Sequence, residues 1–261
     1  MAEGLSPYPA YKPSGVKWLG DVPAHWEVRR LRNLAEMRAS NVDKHVRDDE
    51  ESVRLCNYVD VYKHECIGPD IDFMPATATA DEIDRFKLAT SDVLITKDSE
   101  DWTDIGVPAV VEGAPDDVLC GYHLALLRPH ADRMQGRFLL RALQTNAVAW
   151  QFHVRANGVT RYGLSHDAIK SAWLAVPPLT EQASIARFLD RATSRIDRYI
   201  RAKEKLFGTP QRQGGSEGGL LAEYRDRLIA DVVSGKFDVR ETAAALHGEL
   251  GSAKAGGVNS Q

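Results

Sequence analysis

The sequence predicts an α+β protein: a mixed α/β globular domain over residues 1–178, then a long coiled-coil-forming α-helix over 179–240 interrupted by a Gly-rich loop at 208–218. Three observations carry this. Apolar residues at strand-like and helix-like spacings interleave as far as Pro178. Pro177-Pro178 then forbids a helix running in from the N-terminal side. Beyond it the apolar positions recur in steps of four and three, a stripe narrower than that of a helix lying on a large core.

Along the domain, residues 1–15 are rich in Pro, Gly and Ser and read as a disordered or draped arm. Trp18, Leu19 and Trp26, around a turn at Gly20–Pro23, would clamp it. "HWEVRRLRNLAEMR" reads as a strand or short helix entering the core, and "SVRLCNYVDVY" (52–62) alternates as a half-buried strand does. Further strands are expected at Val93–Thr96, in "VPAVVE" and in "VLCGYHLALLRP". Residues 136–153 carry a helical period, and a short helical turn near 165–171 leads to a last strand at 172–176.

Thr180 is the expected N-cap of the long helix, with Glu181 in the first turn where the helix dipole favours an acid. The seam runs Ile185, Leu189, Ala192, Ile196, Tyr199, the polar Lys203, then Leu206. It resumes at Leu221, Tyr224, Leu228 and Val232, and Gly235 is a suitable residue to end the helix. Subtracting the eleven residues of 208–218 leaves the phase unbroken, which supports one long helix with an inserted loop; a helix–loop–helix hairpin is the alternative. The two segments correspond to about 42 and about 24 Å of helix. A stripe this narrow calls for another helix, expected from a second copy of the chain or from another subunit. Residues 241–261 are small and Gly-rich and read as a flexible tail.

The bulk numbers exclude several classes. Hydrophobic residues make up 43% and charged residues 27% of 261, as in a soluble globular protein. No run of about 18 apolar residues is present, so no membrane span is expected. The start lacks a basic, apolar export signal, and the three separated cysteines suit a reducing cytoplasm. The net charge of −4, with acids clustered in "DKHVRDDEES", "TADEIDRF" and "KDSEDWTD", argues against broad nucleic-acid binding. Between Arg187 and Lys205 the balance reverses, with seven basic residues against three acidic, as on a solvated helix face.

Motifs for bond-making chemistry are sparse. No G-x-G-x-x-G, phosphate-binding loop, H-E-x-x-H, C-x-x-C or amino-methyltransferase motif is present. Ser165-His166-Asp167 names the residues of a hydrolase triad, but sequence neighbours point in different directions. Asp98, Glu100, Asp101 and Asp104 end a strand in a carboxylate-rich turn that would suit a divalent metal, without the second acid–x–Lys strand a nuclease needs. No metal or other cofactor is expected in this chain. What remains are polar loops at strand ends: Lys97, Ser99 and Trp102 in "TKDSEDW", and Arg155, Asn157, Thr160, Arg161 and Tyr162 in "RANGVTRYG". Arg reaches guanine edges bidentately, Asn adenine edges, and Thr or Lys phosphates, so these are the candidate DNA-binding residues.

Four blocks, in order, resemble the specificity subunit of type I restriction–modification systems. "YKPSGVKWLGDVPAHWEVRRLR" resembles the opening of that family and "FKLATSDVLITKDSEDWTDIGVPAVV" its target-recognition segment. "ANGVTRYGLSHDAIKSAWLAVPPLTEQASIARFLDRATSRIDRYI" resembles the boundary between recognition domain and spacer helix, and "LLAEYRDRLIADVVSGKFDVRE" the end of the spacer. Family members carry two recognition domains and two spacers in tandem; here neither "GVKWLG…PAHW" nor "PPLTEQ" recurs, so the chain resembles a half-length form. The resemblance implies a non-catalytic, cytoplasmic subunit. Residues 1–178 would read half of a bipartite target in double-stranded DNA. Residues 179–240 would pair with a second copy and dock methyltransferase subunits carrying S-adenosylmethionine. A motor–endonuclease subunit would bring ATP and Mg²⁺. A spacer of roughly 40–65 Å spans about one to two turns of duplex. Two readings compete: a stand-alone metal-dependent nuclease using the 98–104 turn, and a dimerisation scaffold that does not bind DNA.

Overall fold

A computed structural model describes residues 5–207 and 217–245. It comprises two compact units, one of Glu27–Val176 and one joining the residues up to Trp26 with those from Pro177 onward. Residues 5–26 therefore group with the helices that follow Pro177, a division that differs from the boundary at 178 drawn from sequence.

The chain opens with an antiparallel ribbon of β1 (Tyr11–Pro13) and β2 (Asp21–Pro23), with Tyr11 opposite Pro23. The second unit then runs β3 (Glu27–Arg30), a 3-10 turn, β4 (Ala35–Ala39), β5 (Glu51–Cys56), α1 (Tyr58–Lys63), β6 (Cys66–Ile67), β7 (Met74–Ala78) and α2 (Ala80–Phe86). Next come β8 (Val93–Thr96), β9 (Asp98–Ser99), β10 (Pro108–Val111), β11 (Val118–Cys120) and β12 (Leu124–Pro129). It closes with α3 (Gly136–Leu143), α4 (Asn146–His153), β13 (Tyr162–Gly163), α5 (His166–Lys170) and β14 (Trp173–Val176).

A mixed five-stranded sheet of order β4-β12-β8-β10-β6 forms its centre. All four residues of β8 are buried, which is why "VLIT" reads as a continuous apolar run rather than an alternation. A three-stranded sheet, β11-β5-β7, shares with it a core that includes Leu55, Phe86, Leu94, Leu119 and Leu126. β14 pairs antiparallel with β3, so the first and last strands of this unit close on each other.

Three local expectations are corrected. The strand expected over 52–62 stops at Cys56, because Asn57 begins α1; the Asp60 carboxylate accepts the Asn57 N–H at 2.8 Å. The helix expected over 136–153 is broken into α3 and α4, where the Thr145 hydroxyl donates back to the Ala142 carbonyl at 2.7 Å. "TADEIDRF" is not only an acidic run: Thr79 and Glu82 form a reciprocal capping box that starts α2.

The other unit contains α6 (Leu179–Phe207) and α7 (Glu217–Val233). Thr180 is not the cap: α6 starts at Leu179, and the Pro178 carbonyl accepts the N–H groups of Glu181 and Gln182, both at 2.9 Å. α7 starts at Glu217, so residues 217–218 of the expected loop are helical, and 208–216 lie outside the described residues. Of the two arrangements left open by the sequence, the packing of α7 on α6 matches the hairpin and not one continuous helix. α7 packs on α6, with the Arg225 guanidinium 3.0 Å from the Asp197 carboxylate. On this seam Ile185, Leu189, Ile196 and Leu228 are buried, whereas Ala192, Leu221 and Tyr224 are half-buried. Tyr199 remains 49% exposed, and the Leu206 side chain lies outside the description. Phe188 and Thr193 are buried as well, so the covered face is wider than a heptad edge. Ile196→Asp is expected to cost on the order of 4 kcal/mol by burying an unpaired carboxylate. A urea titration followed by helical circular dichroism reads this directly.

α7 ends as its sequence predicts. Gly235 has φ +78, its N–H donates to Val232 O, and Lys236 N–H donates to Asp231 O, the paired bonds of a Schellman motif. A Cβ on Gly235 would meet Pro23 Cδ at 2.4 Å, so the close approach of the β2 segment also requires glycine. The N-terminal segment, expected to be an arm, is held in place. Ser6 bridges to Asp238, the Tyr11 hydroxyl donates to Gly235 O at 3.0 Å, and Tyr8 and Trp26 are buried. Trp18, expected to help clamp this arm, is 56% exposed instead. Of the expected tail, residues 241–245 are helical with Ala243 buried, and the rest lies outside the described residues.

Candidate nucleic-acid interface

Two loops singled out separately in the sequence meet in the fold. β9 pairs antiparallel with β13, setting Ser99 opposite Tyr162 and Asp98 opposite Gly163. The 157–163 loop closes on itself: Asn157 N–H donates to Gly163 O at 3.1 Å, and Gly163 N–H to Asn157 O at 2.9 Å. Residues 158–161 project into solvent between these bonds.

The candidate residues divide into those presented and those committed. Asn157, Thr160 and Arg161 are exposed, and Arg161 has no ion-pair partner among the described residues. Tyr162 is half-buried in β13. The Arg155 guanidinium is taken by the Ser171 hydroxyl. Ser99 is buried and accepts the Asp101 N–H at 3.2 Å. Lys97 has only 14% of its side chain exposed, and its Nζ sits 2.7 Å from the Asp98 carboxylate and 4.9 Å from the centre of the Tyr122 ring. Burial raises the Asp98 carboxyl, but the Lys97 ammonium and the His123 imidazole, 3.1 Å away, outweigh it and hold the group below its ordinary value. Trp102 packs instead beside Trp150, with ring centroids 6.1 Å apart.

Arg161 stands at the rim of a groove of about 1020 Å³. Its walls come from α1 (Tyr58, Val59), from the segment around β7 (Phe73, Met74) and from the turn between β11 and β12 (Tyr122, His123). Tyr58, Val59, Met74 and Tyr122 are each more than a third exposed. Tyr58 and His123 meet edge to face at 6.1 Å, and the Asn57 amide donates to the Met74 sulfur at 3.7 Å. Lys44 and His45 supply further donors along the rim. An apolar trough with a few amide, imidazole and guanidinium groups suits base edges: methyl groups pack on aromatic walls, and donors and acceptors read the heteroatoms. Asn57, Tyr58 and Tyr122 line this groove but are not among the candidates the sequence offers. The N-x-x-D box at Asn57–Asp60 was the available signal, because it turns an apparent strand into a helix whose first turn faces the groove.

The acids of the 98–104 turn do not converge. Asp98 faces Lys97 and His123, and Asp101 accepts the Thr103 N–H and hydroxyl, both at 2.8 Å. Among the described residues no group of three or more His, Cys, Asp or Glu side chains is placed to hold a metal. Ser165 is the N-cap of α5, its hydroxyl accepting the Ala168 N–H at 3.1 Å.

Comparison with known proteins agrees with this architecture. The family model for the type I restriction modification DNA specificity domain matches residues 23–205. The chain is 26% identical over 207 residues to a Methanocaldococcus jannaschii protein named as the MjaX specificity subunit of a type I restriction enzyme, covering 72% of this chain and 44% of that protein. It superposes with TM-score 0.52 and 15% identity on a chain from a structural study of type I R-M system assembly, covering 83% of this chain and 48% of that one. The HsdS subunit from Thermoanaerobacter tengcongensis matches at TM-score 0.46 and 17% identity, over 90% and 49% of the two chains. The chain spans less than half the length of each of these relatives. It belongs to the type I restriction–modification specificity subunit family.

Proposed function

We propose that this chain reads one half of a bipartite DNA target for a type I restriction–modification complex, through the groove between α1, β7 and the β11–β12 turn with Arg161 at its rim. The observation that carries the reading is the convergence of an unpaired, solvent-presented arginine with an apolar trough lined by amide and imidazole groups. The chain itself makes and breaks no bonds in this reading. S-adenosylmethionine, ATP and Mg²⁺ belong to methyltransferase and motor–endonuclease subunits, and α6 with α7 is the element that docks them. Two copies act together, which would supply the content of one relative of about twice the length. Tyr199, on the α6 seam and 49% exposed, leaves part of that seam open to a second copy.

Electrostatics set the strength of binding. Glu27–Val176 carries 18 Lys and Arg against 24 Asp and Glu, so this unit contributes little net attraction to phosphates. The partner subunits supply most of the neutralisation. Arg161→Ala, in a complex reconstituted with its methyltransferase subunits, is expected to weaken binding to the target duplex about tenfold, the loss of one bidentate base contact. Binding to an unrelated duplex and the salt dependence should stay as they were. Equal weakening on both duplexes, measured by fluorescence anisotropy, would assign Arg161 to phosphate and refute the base-reading role.

A further inference from the structure

Trp102 and Trp150 form a second exposed feature that does not line the groove. Trp150 and His153 lie on α4, and the 100–105 turn brings Trp102 against them. The turn is seated by Ile105, which is buried, and by Gly106, where a Cβ would come within 2.6 Å of the buried Phe152 ring. The ring centroids are 6.1 Å apart for Trp102–Trp150, 6.0 Å for Trp102–His153 and 5.5 Å for Trp150–His153. Trp102 is 39% and Trp150 51% exposed, and the neighbouring Val154 is 74% exposed. Two adjoining indoles left open to water mark an interaction surface, because indole is among the side chains that contribute most when covered.

The surrounding charge identifies what covers them. Glu100, Asp101 and Asp104 lie on the same turn, and Asp101 and Asp104 are near enough to act on the His153 ring. None of the three has a Lys or Arg ion-pair partner among the described residues. A DNA phosphate would meet unneutralised carboxylates here. An arginine or lysine would meet both the negative faces of the indoles and the carboxylates. We propose that the Trp102–Trp150–His153 face, with Glu100, Asp101 and Asp104, is a docking surface for a basic segment of a protein partner, taking an arginine side chain between indole and carboxylate. This rests on observations separate from the groove and holds or falls without it.

The full chain, labelled with 5-fluorotryptophan, provides the test, with the Trp102 and Trp150 fluorine resonances assigned through W102F and W150F. Titration with acetyl-Arg-Gly-Arg-Gly-Arg-amide is expected to move both resonances, and the peptide with glutamate in place of arginine to move neither. E100Q combined with D104N, both on the surface turn, should weaken the arginine peptide about threefold or more while leaving the Trp18, Trp26 and Trp173 resonances in place. A DNA duplex at the same concentration should leave both indoles unchanged. If the arginine peptide moves neither resonance, or the duplex moves both as far as the peptide does, the proposal is overturned; the second result makes this a DNA contact face.

Discussion

Glu181→Leu is expected to lower the melting temperature by on the order of 10 °C. Glu181 is 4% exposed, and its carboxylate gathers three donors from the start of the chain: the Tyr8 hydroxyl, Trp26 Nε1 at 2.9 Å and His25 Nε2 at 2.8 Å. Burial and the Glu181 carboxylate both push the Tyr8 phenol upward, so it stays a neutral donor. Leucine fills the space but leaves the Tyr8 hydroxyl and the Trp26 indole N–H buried without an acceptor, each costing about 1–3 kcal/mol. Glu181→Gln retains one acceptor oxygen and should lose about half as much. Thermal unfolding by circular dichroism measures both. A leucine variant that melts within about 2 °C of the parent would show that the N-terminal segment is held by apolar packing alone.

Gly158→Ala is expected to reduce affinity for the target duplex by about tenfold or more, with little change in melting temperature. Gly158 has φ +149, and a Cβ built there would lie 1.8 Å from the Arg161 carbonyl oxygen. Alanine must therefore open the loop, breaking the two Asn157–Gly163 hydrogen bonds and moving Arg161 off the rim. The loop is exposed and covers no part of the core, so stability suffers little. Binding by the reconstituted complex and melting of the isolated chain separate the two effects. Undiminished target affinity would mean that the shape of this loop does not matter for reading.

How far the sequence was legible follows from the kind of signal each element carries. Val93–Thr96, the short helix before β14 and the Gly235 terminus were readable, because a buried apolar run, a short helical period and a left-handed glycine are local. The role of Glu181 was not. An acid in a first turn looks the same whether it faces water or, as here, accepts bonds from residues about 155 to 173 positions away. The α6–α7 pairing was hidden for a related reason: heptad phase is preserved equally by a continuous rod and by a hairpin, and it is the packing of α7 on α6, with Arg225 against Asp197, that distinguishes them.

Of the candidate site, the exposure of its loop was legible and the groove beside it was not. Asn157, Thr160 and Arg161 are exposed, as polar residues beside glycine in a strand-end loop are expected to be. The same logic points to Lys97, yet Asp98 and Tyr122 enclose its charge, and Tyr122 comes from a turn that no local pattern links to it. The groove itself is made of three segments distant in sequence, so its aromatic walls carry no motif.

The most direct measurement is the DNA motif methylated in cells that carry the complex with either the parent chain or a chain bearing Asn57→Ala and Arg161→Ala together. Neither position contributes to the buried core, so the variant should still assemble. The groove reading predicts that methylation persists but the recognised motif becomes degenerate at one or more positions of one half. An unchanged motif at unchanged efficiency would place base reading elsewhere on the protein and contradict the account.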